Sequence, residues 1–369
     1  MFCLSRRIAY SIYGASPLAE IASIVFIKYF MKKIIEGWYH KPGRHCASTA
    51  IRDAMRFWGI GWNEAFCFGL GRGLGTFFIN SPTISPSRWL MTRCQNLEEH
   101  FFESVGMPFK WVQAENDADA WAMTKSDIDS GSPALLQTDI YYLDYYNSKT
   151  HFNRHAVLLW GYDEEKGVGY LSDTEREGLM EVRLESVARS RTSPIPPGPV
   201  RYDYFPMEKP QFSVDIAQAA LRAVLVQAFD LIGPPEDYPL KIGLNGLAEL
   251  ARDLPHWQDA DDLSWCARFN YQTIEKRGTG GSAFRKMYTE FLEQVEEMHP
   301  RIKVLELSSK MRLIAQKWSK LAATLKGISE SLDAGKLEEA AETASSIHGL
   351  EKNYCRTALE EIPKLVSCS

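Results

Sequence analysis

Six of the chain's 18 prolines fall in one short stretch: Pro194, Pro196, Pro197, Pro199, Pro206 and Pro210. Proline fixes φ and offers no N–H, so this stretch is barred from helix interiors and central strands. It divides the 369 residues into two parts of different texture. Length alone, at ~150 residues per domain, also suggests two domains. Before the prolines, short apolar runs alternate with turn signals. The stripe Ala47, Ile51, Ala54, Met55 and Trp58 predicts a helix from Cys46 stopped by Gly59. The spacing predicts another helix over Ser87–Ser104. Ala134–Asp139, Ala156–Trp160 and Val168–Leu171 read as buried strands. After the prolines, helical periodicity covers Val214–Leu231, Gly243–Leu254, Ala283–Met298 and Ile302–Leu325, and the last forty residues read as one or two solvated helices. The expected fold class is α+β followed by an all-α part.

Composition narrows the function classes. A net charge of -5 disfavours a general nucleic-acid binder. The seven cysteines are scattered, with no CxxC pair and no zinc-finger spacing, so neither a disulfide scaffold nor a metal site is expected. Reduced thiols imply a cytoplasmic protein in which one cysteine can be special. The first thirty residues contain an apolar stretch interrupted by Glu20 and Lys28, too short to span ~30 Å of hydrocarbon, so no stable membrane insertion is expected. Met31 is a natural start, and residues 1–36 are read as an extension standing outside the fold.

Cys46 stands between the turn Lys41-Pro-Gly-Arg-His45 and the first helix. On the first helical turn the macrodipole and free N–H groups favour a thiolate and supply oxyanion donors for acyl transfer. His155 opens one predicted strand and Asp173 follows the next. In an antiparallel hairpin pairing Gly161 with Gly167, His155 and Asp173 face each other directly. A carboxylate there orients the imidazole, completing a nucleophile–base–orienter set of Cys46, His155 and Asp173. A buried structural cysteine with a surface His–Asp pair is the bland alternative.

Other constellations carry weaker signals. Phe68-Gly-Leu-Gly-Arg-Gly-Leu-Gly75 lacks the strand–loop–helix context of a nucleotide site and reads as close backbone packing near the cleft. Asp139, Tyr141 and Tyr142, with Asp144, Tyr145, Tyr146 and His151 nearby, suit an amine-bearing acceptor or form an ordinary loop. Gly278–Ser282, with Gly280 and Gly281, reads as a helix cap whose N–H groups could meet an anion such as a phosphate.

The chain resembles the family of butirosin biosynthesis protein H (BtrH), N-terminal domain. The resemblance rests on His45-Cys-Ala-Ser-Thr-Ala50, Phe68–Gly75, Thr138-Asp-Ile-Tyr-Tyr142 and His151–Val157 with Gly161-Tyr-Asp163. The helical domain that usually follows is marked by Glu275–Arg285, Tyr288 and Phe291-Leu292. The resemblance implies a papain-like cysteine acyltransferase core. Such an enzyme takes an acyl group from the phosphopantetheine thioester of an acyl carrier protein and passes it through Cys46 to an amine, aminoglycoside- or polyamine-like. No bound cofactor is implied. The related bacteriocin-processing peptidases carry an oxyanion Gln six residues before the Cys. Here that position is His40, so His40, His45 and the Cys46 N–H are the oxyanion candidates. Arg285 joins Gly280 and Gly281 as a substrate-binding candidate. The expected organisation is an extension to 36, a catalytic domain over 37–195, a linker over 196–210 and a helical domain over 211–369. A papain-like peptidase or amide hydrolase, and a non-catalytic scaffold, are the alternatives. The oligomeric state is left open.

Overall fold

The computed structural model describes residues 31–195, 198–278 and 280–366. The first part runs β1 (Lys32–Ile34), α1 (Cys46–Phe57), α2 (Glu64–Leu70), β2 (Leu74–Asn80), β3 (Arg88–Arg93), α3 (Leu97–Ser104), α4 (Asp117–Asp129), β4 (Ala134–Thr138), β5 (His155–Asp163), β6 (Val168–Ser172), β7 (Met180–Arg183), α5 (Leu184–Ser190) and β8 (Tyr204–Pro206). The second runs α6 (Ile216–Ile232), β9 (Lys241–Ile242), α7 (Gly243–Asp253), α8 (Leu263–Glu275), α9 (Arg285–Met298), α10 (Leu307–Ser331) and α11 (Lys336–Val366). The fold is α+β with antiparallel sheets and a helical C-terminal region.

The larger sheet has the order β7-β6-β5-β4-β8, and β1 continues the β4 side of β5 beyond Leu159. Both central strands, β4 and β5, are buried along their whole length. Their uninterrupted apolar runs are what a strand covered on both faces requires. α1 packs across β5 and carries the nucleophile candidate to the end where β5 begins. The range 1–36 expected to stand outside the fold contains β1, and its first thirty residues lie outside the described ones. Within the proline-rich stretch, β8 is the edge strand on β4.

The second sheet, β3-β2-β9, joins the two parts of the chain. Here the helix expected over Ser87–Ser104 is corrected: its first half is β3, and only Leu97–Ser104 is helical. The decisive partners are distant in sequence. β3 pairs with β2 on one side, and on the other the Asn270 side chain of α8 accepts from Leu90 N–H (2.8 Å) and donates to Arg88 C=O (2.9 Å). Gln227 of α6 does the same for Leu74, at 2.8 and 3.1 Å. These amides stand in for neighbouring strands and satisfy edge groups that local sequence gives no means of pairing. The terminal helix is also not simply solvated, since α11 buries Ile347, Tyr354 and Ile362. Among the described residues, no helix is long and apolar enough to cross a membrane.

Candidate active site

The start of α1 is fixed by a carboxylate. Glu64, first residue of α2, accepts from the backbone N–H groups of Arg44 (2.8 Å) and His45 (2.9 Å), from Thr49 Oγ1 (3.1 Å) and from Ser48 Oγ (3.3 Å). An anion there complements the helix N-terminus. Gly43 donates to Thr174 C=O at 2.6 Å, tying this turn to the segment after Asp173. A Cβ at Gly43 would sit 1.9 Å from Thr49 Oγ1, so only glycine fits the turn. The Cys46 N–H, at the first helical position, has no acceptor among the described residues.

His155 Nε2 donates to Asp173 Oδ1 at 2.7 Å, and both residues are buried. The register that joins them differs from the expected one. Asp163 pairs with Val168 and Gly161 with Tyr170, and an irregularity near Gly161 then shifts the pairing to Leu159 with Leu171. Continued by one residue, that register sets Asp173 across from Val157. Asp173 therefore reaches His155 as a diagonal neighbour on one sheet face, not as its direct opposite. The turn Asp144–Tyr146 closes the arrangement: Tyr145 donates its hydroxyl to Asp173 Oδ2 (2.5 Å), and the Tyr146 hydroxyl lies 3.2 Å from His155 Nε2. With Nε2 engaged, Nδ1 is the nitrogen left for exchange with the Cys46 thiol, which hydrogen-bonds the ring.

Burial opposes ionisation of the thiol, but the His155 hydrogen bond, the charges of His155 and Arg93 and the Ala156 N–H outweigh it and bring Cys46 down to about 6. Burial likewise disfavours the imidazolium, yet Asp173 and the thiolate raise His155 to about 10. Both shifts run in the direction that favours a thiolate–imidazolium pair. The other described cysteines, Cys67, Cys94, Cys266 and Cys355, are all pushed up, by burial first.

Arg93, the last residue of β3, is a group sequence reasoning missed. Its Nη1 donates to His45 Nε2 at 2.8 Å and lies 3.9 Å from Cys46 Sγ. Arginine has only donors, so Nε2 faces a donor, while Nδ1 caps α1, 3.3 Å from the Ser48 N–H and from Ser48 Oγ. Burial, Arg93 and His155 all push His45 well down, keeping it neutral. Its ring is wedged edge-on against Phe68 and Phe284. Phe284 comes from a left-handed turn, Ser282–Phe284, with φ of 53°, 54° and 67°. Such backbone costs roughly 1–3 kcal/mol per residue and persists only where the surroundings enforce it. Beside it, Arg44 makes a two-pronged ion pair with Glu290 of α9 at 2.7 and 2.8 Å. Glu98, buried in α3 and bonded by Gln137 (2.9 Å), is raised to about 7, chiefly by burial. Reading 88–93 as a strand would have placed Arg93 at the end of a strand, but the pairing that makes it one is non-local.

The remaining candidates divide. His40 commits both nitrogens, to Asp53 Oδ2 (2.6 Å) and Arg176 C=O (3.0 Å), so its ring is spent as a brace and is not an oxyanion donor. His45 is likewise engaged on both nitrogens. Asp139 is fully buried, accepting from His151 (2.7 Å), Ser193 (2.6 Å) and the N–H groups of Tyr141 and Phe152. It organises the loop and offers no carboxylate to a ligand. Tyr141 and His151 stack at 4.1 Å with exposed edges, and Tyr142 lies under Arg189. Arg285 is buried, paired with Glu351 (2.9 Å) and bonded to Gly75 and Thr92 carbonyls, so it is structural and cannot meet a phosphate. The Gly280-Gly281 turn abuts Arg44 and Glu275, whose carboxylate accepts from Ser282 N–H. Among the described residues, no group of three or more His, Cys, Asp or Glu is placed to hold a metal ion.

Residues 45–174 match the family model described as butirosin biosynthesis protein H, N-terminal. Residues 185–358 match that of a domain of unknown function, DUF4872. No curated protein matches the chain.

Proposed function

From a chain that carries a butirosin biosynthesis protein H N-terminal domain followed by a DUF4872 domain, we propose a cysteine acyltransferase of papain-like core, acting in antibiotic-type secondary metabolism. Cys46 is the nucleophile, His155 the acid–base group and Asp173 its orienter. The acyl donor is the thioester of an acyl carrier protein, and the acceptor is an amine of aminoglycoside or polyamine type. The observation that carries the reading is the Cys46–His155–Asp173 chain itself: a buried thiol lowered to about 6 against an imidazole held by a 2.7 Å carboxylate bond.

The thiolate adds to the thioester carbonyl, and collapse of the intermediate expels the carrier thiolate, which takes the His155 proton. The amine then attacks the acyl-enzyme, gives its proton to His155 and releases Cys46. Burial favours transfer over hydrolysis. Cys46 is 8% exposed and His155 6%, a setting that limits the water reaching an acyl-enzyme. The stacked Tyr141–His151 edge is the surface offered to the acceptor.

Incubation with acyl-loaded carrier protein is expected to add one acyl mass to the Cys46 peptide, and an added amine to discharge it as an amide. Cys46→Ala abolishes the adduct, and His155→Ala slows its formation by roughly 10²–10⁴-fold. Discharge to free acid regardless of amine would assign a hydrolase instead.

A further inference from the structure

We propose that Arg93 is a catalytic residue, the cationic half of an oxyanion hole whose other half is the Cys46 N–H. This rests on the acyl-transfer reading above. The fold supplies no glutamine before the cysteine, and His40 is tied up on both nitrogens. Arg93 fills that gap from the far side. Its Nη1 is 3.9 Å from Sγ, so an oxygen one C–S and one C–O bond away falls within hydrogen-bonding reach of it. The side chain is half-buried, and among the described residues its hydrogen-bond partners are His45 and Cys46. Among the described residues it forms no ion pair with a carboxylate, and Glu98, the buried acid that feels its charge, is itself pushed up to about 7, so the guanidinium is left for a developing anion. His45 holds the guanidinium at 2.8 Å, and His45 is itself fixed between Phe68 and Phe284. Preorganisation of this kind is what makes a donor effective in the transition state.

The step balances simply. The Cys46 sulfur forms a bond to the acyl carbon while the carbonyl π pair moves onto oxygen, where Arg93 and the Cys46 N–H receive it. The pair then returns, the carbonyl re-forms and the leaving thiolate departs with the His155 proton.

Arg93 also lowers the thiol's pKa, so the test must separate the two effects. Two reactions of Cys46 are compared at pH 9, where the thiol is ionised with or without the arginine. Iodoacetamide alkylation develops no oxyanion, whereas acylation by p-nitrophenyl acetate or by S-acetylpantetheine does. Arg93→Gln is expected to slow acylation by about 10²–10³-fold while leaving alkylation within a few-fold of wild type. Arg93→Lys, which keeps charge but loses the forked geometry, should fall between. Alkylation confined to Cys46, with Cys67, Cys94, Cys266 and Cys355 protected, shows that the variants are folded. An unchanged ratio of acylation to alkylation overturns the proposal, as does a wild-type Cys46 that neither ester acylates. Acylation by p-nitrophenyl acetate but not by the pantetheine thioester would leave Arg93 in place and remove the carrier-thioester reading.

Discussion

At the scale of single residues, the decisive fact is that one thiol in five described is pushed down while the other four are pushed up. The rate of alkylation of Cys46 against pH should show a midpoint near 6 and already be near its plateau at pH 7. Cys67, Cys94, Cys266 and Cys355 should remain unmodified there in the folded protein. Asp173 raises His155 by charge and hydrogen bond, and the imidazolium in turn lowers Cys46. Asp173→Asn removes the anion, so the imidazolium weakens and the thiol midpoint must move upward, by ~1–3 units. Peptide mass spectrometry over pH 5–9 reads this, and a downward or absent shift would sever Asp173 from the site. Cys46, His155 and Asp173 were legible in the sequence because each stands at the boundary of an element, where turn and strand signals are strong. Their mutual register was not legible, because the irregularity near Gly161 has no local signature. Arg93 was invisible for a related reason: a strand whose partners are β2 and a side chain from α8 carries no periodicity of its own.

At the scale of elements, the first turn of α1 hangs on Glu64. One carboxylate takes two backbone N–H groups and two hydroxyls. Glu64→Ala leaves those buried donors unpaired, at roughly 1–3 kcal/mol each by the usual penalty, though relaxation and water reduce the sum. A loss of about 2–4 kcal/mol in denaturant unfolding is expected, together with slower Cys46 alkylation, since the turn carrying the thiol loosens. A variant as stable and as reactive as wild type would show that the cap is dispensable. The helices were the most legible elements, since α6, α7 and α9 each bury a face spaced by three and four residues, and α1 spaces its large apolar residues that way although Cys46–Met55 is buried all round. The short pieces were not. β7, β8 and β9 run to four residues or fewer, too few for any period to declare itself.

At the scale of the whole molecule, the two textures in the sequence share one apolar core, which runs from Ile35 through Phe291 to Ile362. Gly69 of α2 is one place where they press together: a Cβ there would lie 2.0 Å from the Phe291 ring of α9. Scanning calorimetry is expected to give one transition for the full chain. Gly69→Ala should lower its midpoint by a few degrees, as overpacking of about 1–3 kcal/mol does in a chain of this size. Two resolved transitions, with only one moved by the substitution, would show that the halves melt independently. The same interlock sets a clock. The ribosome delivers Cys46, His155 and Asp173 early, but His45 is wedged by Phe284, Arg44 is clasped by Glu290, and the arginine that bonds Gly75 and Thr92 is itself answered only by Glu351. At ~5–20 residues per second the nascent chain spends on the order of tens of seconds with Cys46 already outside the tunnel and these contacts unmade. Until Phe284, Glu290 and Glu351 emerge, the contacts that fix His45, Arg44 and Arg285 have no partners to form with.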